Sequence, residues 1–246
     1  MKNVLPFIIT TFAGISTLIG FLFIYIDKDK EKIIKNSLSF ASGVMLCVSI
    51  IDLIPESINM LSKSLNKSNV FLYIFISILI GSLIPFIIDK YISKKENDLY
   101  RVGLLSMLAI VIHNIPEGII TYLTATTNLK LGITLSIAIA LHNVPEGISI
   151  SVPIYYGTNN KTKAFTMTLI SALSEPLGAI IAYIFLKDII TEQIMGIILA
   201  LTSGIMTNIS LIELLPKSLE YKEKKKTIIF FIIGLFFMYI SVNIMK

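Results

Sequence analysis

The chain has 246 residues, of which 54% are hydrophobic and 15% charged, and its mean hydropathy is +0.82. A soluble domain carries about a quarter charged residues, so the composition excludes a soluble enzyme and indicates a polytopic membrane protein. The formal charge of +5 therefore needs a membrane explanation, and no nucleic-acid partner follows from it.

Spanning a hydrocarbon core of roughly 30 Å takes about 20 apolar residues as a helix. Windows of that length predict eight spans, near 4–26, 36–59, 70–89, 102–125, 131–156, 164–186, 191–216 and 227–245. The expectation is an all-α bundle of eight transmembrane helices in one domain over residues 1–246. The first span is too long for a cleaved signal peptide and lacks a small-residue cleavage site, so it reads as a retained helix. Connections 1–2, 3–4, 5–6 and 7–8 hold 15 of the 21 Lys and Arg residues. The positive-inside rule then places those loops in the cytoplasm and both termini outside the cell membrane. The clusters Lys28–Lys35 and Lys222–Lys226 are expected to face anionic lipid and set topology, with no further task.

Span 2 contains the one cysteine, Cys47, expected as a small core residue. It also carries Ser42-Gly43-Val44-Met45, Ser49, Asp52-Leu53-Ile54-Pro55, Glu56 and Ser57. Span 7 repeats this without gaps as Ser203-Gly204-Ile205-Met206, Ser210, Glu213-Leu214-Leu215-Pro216 and Ser218. Five spans separate the two, an odd number, so they run in opposite directions. Spans 4 and 5, adjacent and also opposed, carry His113-Asn114-Ile115-Pro116-Glu117-Gly118 and His142-Asn143-Val144-Pro145-Glu146-Gly147. These predict nested inverted repeats, spans 1–3 against 6–8 and span 4 against 5, a plan that recurs in secondary transporters.

Residues three and four apart share a helix face. Glu117 is thus beside both His113 and Asn114, and Glu146 beside both His142 and Asn143. Each carboxylate is placed to bridge two neighbouring sites, one completed by His and one by Asn. Such a donor set suits a binuclear divalent-metal centre. His113, His142 and Glu175 each fall about 11 residues into their spans, roughly 17 Å deep and near the bilayer midplane. Pro116, Pro145 and Pro176 each remove a backbone donor, which a membrane tolerates only where protein or a polar cavity satisfies the freed carbonyl.

Charge balance points the same way. No Lys or Arg occurs within 36–62, 102–129, 131–160, 164–186 or 188–216, yet Asp52, Glu56, Glu117, Glu146, Glu175 and Glu213 all fall there. A charge at mid-bilayer costs on the order of 3 kcal/mol even on lenient scales. Three converging glutamates with two histidines therefore call for a bound cation. Asp52 lies toward the outside and Glu213 toward the cytoplasm. Together with Glu56 they are candidate entrance and exit acids, against the alternative that they cap helix ends or pair with loop lysines such as Lys217.

With these motifs in hand, nearly the whole chain resembles the ZIP (ZRT/IRT-like) metal-transporter family, nearest its bacterial ZupT-like branch. Ser174-Glu175-Pro176-Leu177-Gly178 is similar to span 6 of that branch. The resemblance implies a ZIP-type domain that takes up Zn²⁺ foremost, with Fe²⁺, Mn²⁺, Co²⁺ and Cd²⁺ as related substrates and no catalytic cofactor. It implies one metal site from His113, His142, Glu117 and Glu146, and another from Asn114, Glu117, Asn143, Glu146 and Glu175. It further implies movement of spans 1, 4, 5 and 6 against 2, 3, 7 and 8, and a homodimer. The 89–101 connection is short and has no His, unlike the long His-rich loop of many eukaryotic members. No ATP-binding loop occurs, so an ion gradient or the membrane potential must drive transport. Two alternatives stay open. A passive cation channel would need weaker coordination, and an intramembrane metallohydrolase would need an open metal position and a general base, although its usual His-Glu-x-x-His helix is absent.

Overall fold

A computed structural model describes residues 4–26, 29–92, 96–185 and 191–245. Among these no strand occurs, and eight helices are long and apolar enough to cross a membrane. They are α1 (Val4–Tyr25), α2 (Lys30–Ser62), α3 (Lys67–Tyr91), α4 (Asp98–Thr127), α5 (Leu129–Thr158), α6 (Lys161–Ile184), α7 (Glu192–Leu219) and α8 (Lys224–Ile244). Most begin earlier than the apolar windows do, because a helix runs back through its charged first turn to a capping side chain. Asp29 accepts from the Lys32 amide at 3.2 Å, Asn66 from Asn69 at 2.9 Å and Asn128 from Leu131 at 3.1 Å.

Four local departures from regular α-helix occur, and only the last had a signal in the sequence, Pro176. The second half of α1 winds more tightly, as a 3-10 helix over Thr17–Tyr25. A π-turn interrupts α2 at Ser49–Leu53 and another interrupts α7 at Ile209–Leu214. Both close the same way, Ile54 N–H returning to the Ser49 carbonyl and Leu215 N–H to that of Ser210. A proline follows at once in each, Pro55 and Pro216. The fourth is in α6, which is divided at Leu173 into Lys161–Ala172 and Ser174–Phe185. There Pro176 has no N–H to return to the Ala172 carbonyl.

Glycines set how closely the helices approach, and their contacts recur in matched form. A Cβ on Gly43 of α2 would strike the Phe231 carbonyl of α8, and one on Gly234 of α8 would strike the Phe40 carbonyl of α2. Gly204 of α7 and Ile78 of α3, and Gly81 of α3 and Leu201 of α7, meet in the same way. Around the motif helices, Gly118 of α4 faces the Glu175 carbonyl and Gly178 of α6 faces that of Ile115. Gly147 of α5 against Thr17, and Gly20 of α1 against Val144, repeat that arrangement. Serines join α2 to α7 reciprocally. Ser42 donates to the Ser210 carbonyl at 3.0 Å, Ser210 to that of Ser42 at 2.8 Å, and Ser203 to that of Ser49 at 3.3 Å.

Lys35 departs from expectation. Instead of facing lipid headgroups it is buried, 5% exposed, with Nζ 2.7 Å from Glu223 and 3.2 Å from the Lys222 carbonyl. It ties the start of α2 to the α7–α8 connection, where Glu223 holds a positive φ of 67°. Lys226 and Lys35 together draw the Glu223 carboxyl down from 4.5 to about 2. A depressed carboxylate contributes stability above its unfolded value and loses it as pH falls through the folded one. Glu223→Gln is therefore expected to melt below the parent protein near neutral pH. In thermal unfolding followed in detergent, the two melting temperatures should converge as pH approaches about 2.

Candidate metal centre

The antiparallel pair α4 and α5 puts its two motifs side by side. His113, Asn114, Asn143 and Glu146 are fully buried, and Glu117 and His142 nearly so. His113 Nε2 lies 3.3 Å from Glu117 Oε1 and 3.4 Å from Glu146 Oε1, while His142 Nε2 lies 3.3 Å from Glu117 Oε2. Glu117 thus turns one oxygen to each imidazole, as its i+4 relation to His113 and its place across from α5 require. The imidazole centroids are 6.3 Å apart. Ligand atoms of His113, His142 and Glu146 all fall within 4.8 Å of one another. A tetrahedral ion with bonds of about 2.1 Å has ligand atoms about 3.4 Å apart, so these spacings suit one.

Glu175 enters from the first turn after the break in α6 and is fully buried. The Asn143 amide donates to Glu175 Oε1 and, at 2.9 Å, to the Ala13 carbonyl of α1. Much of the donor set has no hydrogen-bond partner among the described residues. This holds for Nδ1 of both histidines, both Glu146 oxygens, Glu175 Oε2, both Asn114 side-chain atoms and Asn143 Oδ1. Each unsatisfied buried polar group costs about 1–3 kcal/mol, more if charged. So dense a cluster is chemically a set of ligands: imidazole and carboxylate, with amide oxygen beside them, suited to a divalent transition metal.

Six of the seven expected metal residues touch one another in two linked groups, His113–Glu117–His142–Glu146 and Asn143–Glu175. Asn114 is buried on the same helix but makes no hydrogen bond to either group. Asp52 and Glu56 line a cavity of about 340 Å³ that reaches His142, and a narrower one beside it that reaches Glu117. Glu213 lies elsewhere, in a cavity of about 210 Å³ with Asp89, Asp98, Arg101, Lys217 and Glu220. Ile120 and Thr124 of α4 line the first cavity, and Arg101, Val102 and Leu105 line the second. They therefore lie toward opposite ends of the bundle, one on the side of the termini and the other on the side of the basic loops. Lys217 pairs with Glu220 at 2.6 Å and Asp98 at 3.7 Å rather than with Glu213.

Sequence reasoning did not single out Asp89 and Arg101, an ion pair at 2.5 Å. Both sit at helix ends, where charges are ordinary, and nothing in their spacing joins α3 to α4. The Ala13 carbonyl carried no signal either, since a backbone acceptor has none.

Comparison with known proteins agrees with this geometry. The sequence profile of the family described as "ZIP Zinc transporter" matches residues 3–98 and 93–241. The chain belongs to that family. It is 40% identical over 251 residues to the zinc transporter ZupT of Streptococcus mutans, covering 96% of this chain and 95% of that protein. It is 40% identical over 237 residues to the ZupT of Chlorobaculum parvum, with 88% of each chain covered. With the ZupT of Clostridium perfringens it shares 37% over 274 residues, covering 98% and 96%. As a ZIP protein the chain is a multi-pass membrane transporter and not an enzyme, so the metallohydrolase alternative falls away.

Because Glu117 serves both imidazoles, Glu117→Ala is expected to weaken divalent-metal binding by about tenfold or more, as loss of even supporting groups does. Glu146→Ala should match it, while Asn143→Ala, which releases Glu175, should weaken binding less. Titration of the purified protein with Zn²⁺ against a chromophoric chelator reads all three. Binding by Glu117→Ala equal to the parent would refute the bridging geometry.

Proposed function

We propose that this chain, acting as one transmembrane domain, carries divalent transition metals into the cytoplasm, Zn²⁺ foremost and Fe²⁺, Mn²⁺, Co²⁺ and Cd²⁺ by the same chemistry. The buried His113–Glu117–His142–Glu146 cluster is the observation that carries this. The relatives described above, all zinc transporters by name, support zinc as the first substrate. The four-residue cluster holds one ion. Asn143 and Glu175, with Asn114, Glu117 and Glu146, form the neighbouring position. Asp52 and Glu56 receive ions from the outside, and Glu213 lies on the path of release.

Termini outside and basic loops inside the cell membrane follow from the lysine distribution. The matched glycine and serine contacts support the inverted repeats of α1–α3 with α6–α8 and of α4 with α5. The two cavities share no lining residue, and only the one on the side of the termini reaches a histidine. That favours a carrier open to one side at a time over a continuous channel. An inward-negative potential supplies about 2.3 kcal/mol per charge per 100 mV, twice that for a divalent ion.

Liposomes containing the purified protein are expected to take up radiolabelled Zn²⁺ saturably at micromolar concentrations, with competition by Cd²⁺ and Fe²⁺. Uptake no greater than in protein-free liposomes refutes the reading, and non-saturating uptake favours a channel. The reading includes a homodimer, for which α3 offers an apolar face with Phe75 67% exposed. Phe75→Cys is expected to crosslink between copies in the membrane, and only monomer after oxidation would count against that face.

A further inference from the structure

The two cavities are built from matched positions, but their charges do not match. Aligning α2 with α7 by their gapless repeat, Ser42 with Ser203 and Ser49 with Ser210, makes Asp52 the counterpart of Glu213 and Glu56 the counterpart of Lys217. The motif pairing of α4 with α5 makes Val102 and Leu105 the counterparts of Leu131 and Thr134. The glycine contacts of α3 and α8 make Asp89 the counterpart of Val242. Every one of these residues lines its own cavity. The two mouths therefore share a framework, and one carboxylate has become an ammonium.

Asp52, Glu56 and Glu117 line the cavities on the side of the termini, with no Lys or Arg among the described lining residues. On the side of the basic loops four carboxylates line the cavity, but two cations belong to it as well. Arg101 Nη2 is 2.5 Å from Asp89, and Lys217 Nζ is 2.6 Å from Glu220 and 3.7 Å from Asp98. The protein's own two cations thus offset two of the four carboxylates, and Glu213 stands outside these pairs.

We propose that Lys217, assisted by Arg101, makes the cytoplasmic mouth a poor binder of divalent cations, so that the two faces of the transporter differ in apparent affinity. The idea rests on the transport function proposed for the chain. A metal ion leaving the centre toward the cytoplasm meets Glu213 beside acids that fixed cations already hold, so it is bound weakly and dissociates. On the outer face Glu56 instead concentrates the ion at the mouth. A carrier without an energy source cannot change the final distribution. The asymmetry therefore appears as a lower KM outside and a higher KM inside, with compensating maximal rates.

The experiment is initial-rate uptake of radiolabelled Zn²⁺ into right-side-out and everted membrane vesicles, the exposed face being checked by labelling Lys225→Cys. Lys217→Glu is expected to lower KM on the basic-loop face by about fivefold and to leave the other face within about twofold. The gain should shrink in high salt, since charges at a wet mouth are screened over roughly 8–10 Å. Lys217→Gln should give a smaller shift in the same direction and decides the matter if the Glu variant does not fold. Glu56→Lys should raise KM on the outer face. An unchanged KM on the basic-loop face in both Lys217 variants, or equal shifts on both faces, overturns the proposal. Parent vesicles that take up no more Zn²⁺ than vesicles lacking the protein overturn the transport reading itself.

Discussion

The structure depends on burying two histidines and three glutamates against one another deep in the bundle, in segments that contain no lysine or arginine. A low-dielectric interior multiplies the cost of each uncompensated charge, and hydrogen bonding alone does not satisfy this group. Both oxygens of Glu146 and one oxygen of Glu175 have no hydrogen-bond partner among the described residues. The imidazole-to-carboxylate distances of 3.3–3.4 Å are the spacing of atoms gathered around a common ion. A divalent cation held there, as proposed, would resolve the electrostatic problem that the sequence creates.

The surrounding helices serve that cluster through close backbone approach. Glycines at 118, 178, 147 and 20 let α6 lie against α4 and α1 against α5 with carbonyls where side chains would otherwise be. This brings Glu175 and the Ala13 carbonyl within reach of Asn143. The second layer, α2 and α7 with α8 and α3, uses the same device at glycines 43, 234, 204 and 81 and joins its two halves by reciprocal serine contacts. Small residues are suited to this role in a bilayer, where packing rather than water exclusion drives helix association.

The sequence displayed much of this directly. Eight apolar windows became eight helices, and the doubled motif and i+4 spacing led to the cluster. What was not legible depends on contacts between segments or on backbone detail. The π-turns that carry Asp52 and Glu213 leave no mark in hydrophobic periodicity, because an extra residue in one turn is absorbed within a uniformly apolar run. Lys35 read as one more cytoplasmic lysine, and only the positive φ of Glu223 and the fold of the α7–α8 connection bring a carboxylate to it. Arg101 and Asp89 lie on different helices, and their pairing requires knowing that the end of α3 is turned toward the first turn of α4.

The matched framework also shows where the centre departs from symmetry. Gly118 meets the backbone of Glu175, and Gly147 meets that of Thr17 at the equivalent point. A carboxylate on α6 thus corresponds to a hydroxyl on α1, itself buried without a partner among the described residues. The consequence reaches the two asparagines. Asn143 is held by Glu175 and the Ala13 carbonyl, whereas both polar atoms of Asn114 are unpaired among the described residues. The histidine half of the centre is served equally from both motif helices, each giving one imidazole and one carboxylate. The asparagine half is served from one side only, so its two candidate amides differ in how firmly they are oriented. In the proposed two-ion arrangement the first position is a near-symmetric cage and the second a lopsided site weighted toward α5 and α6.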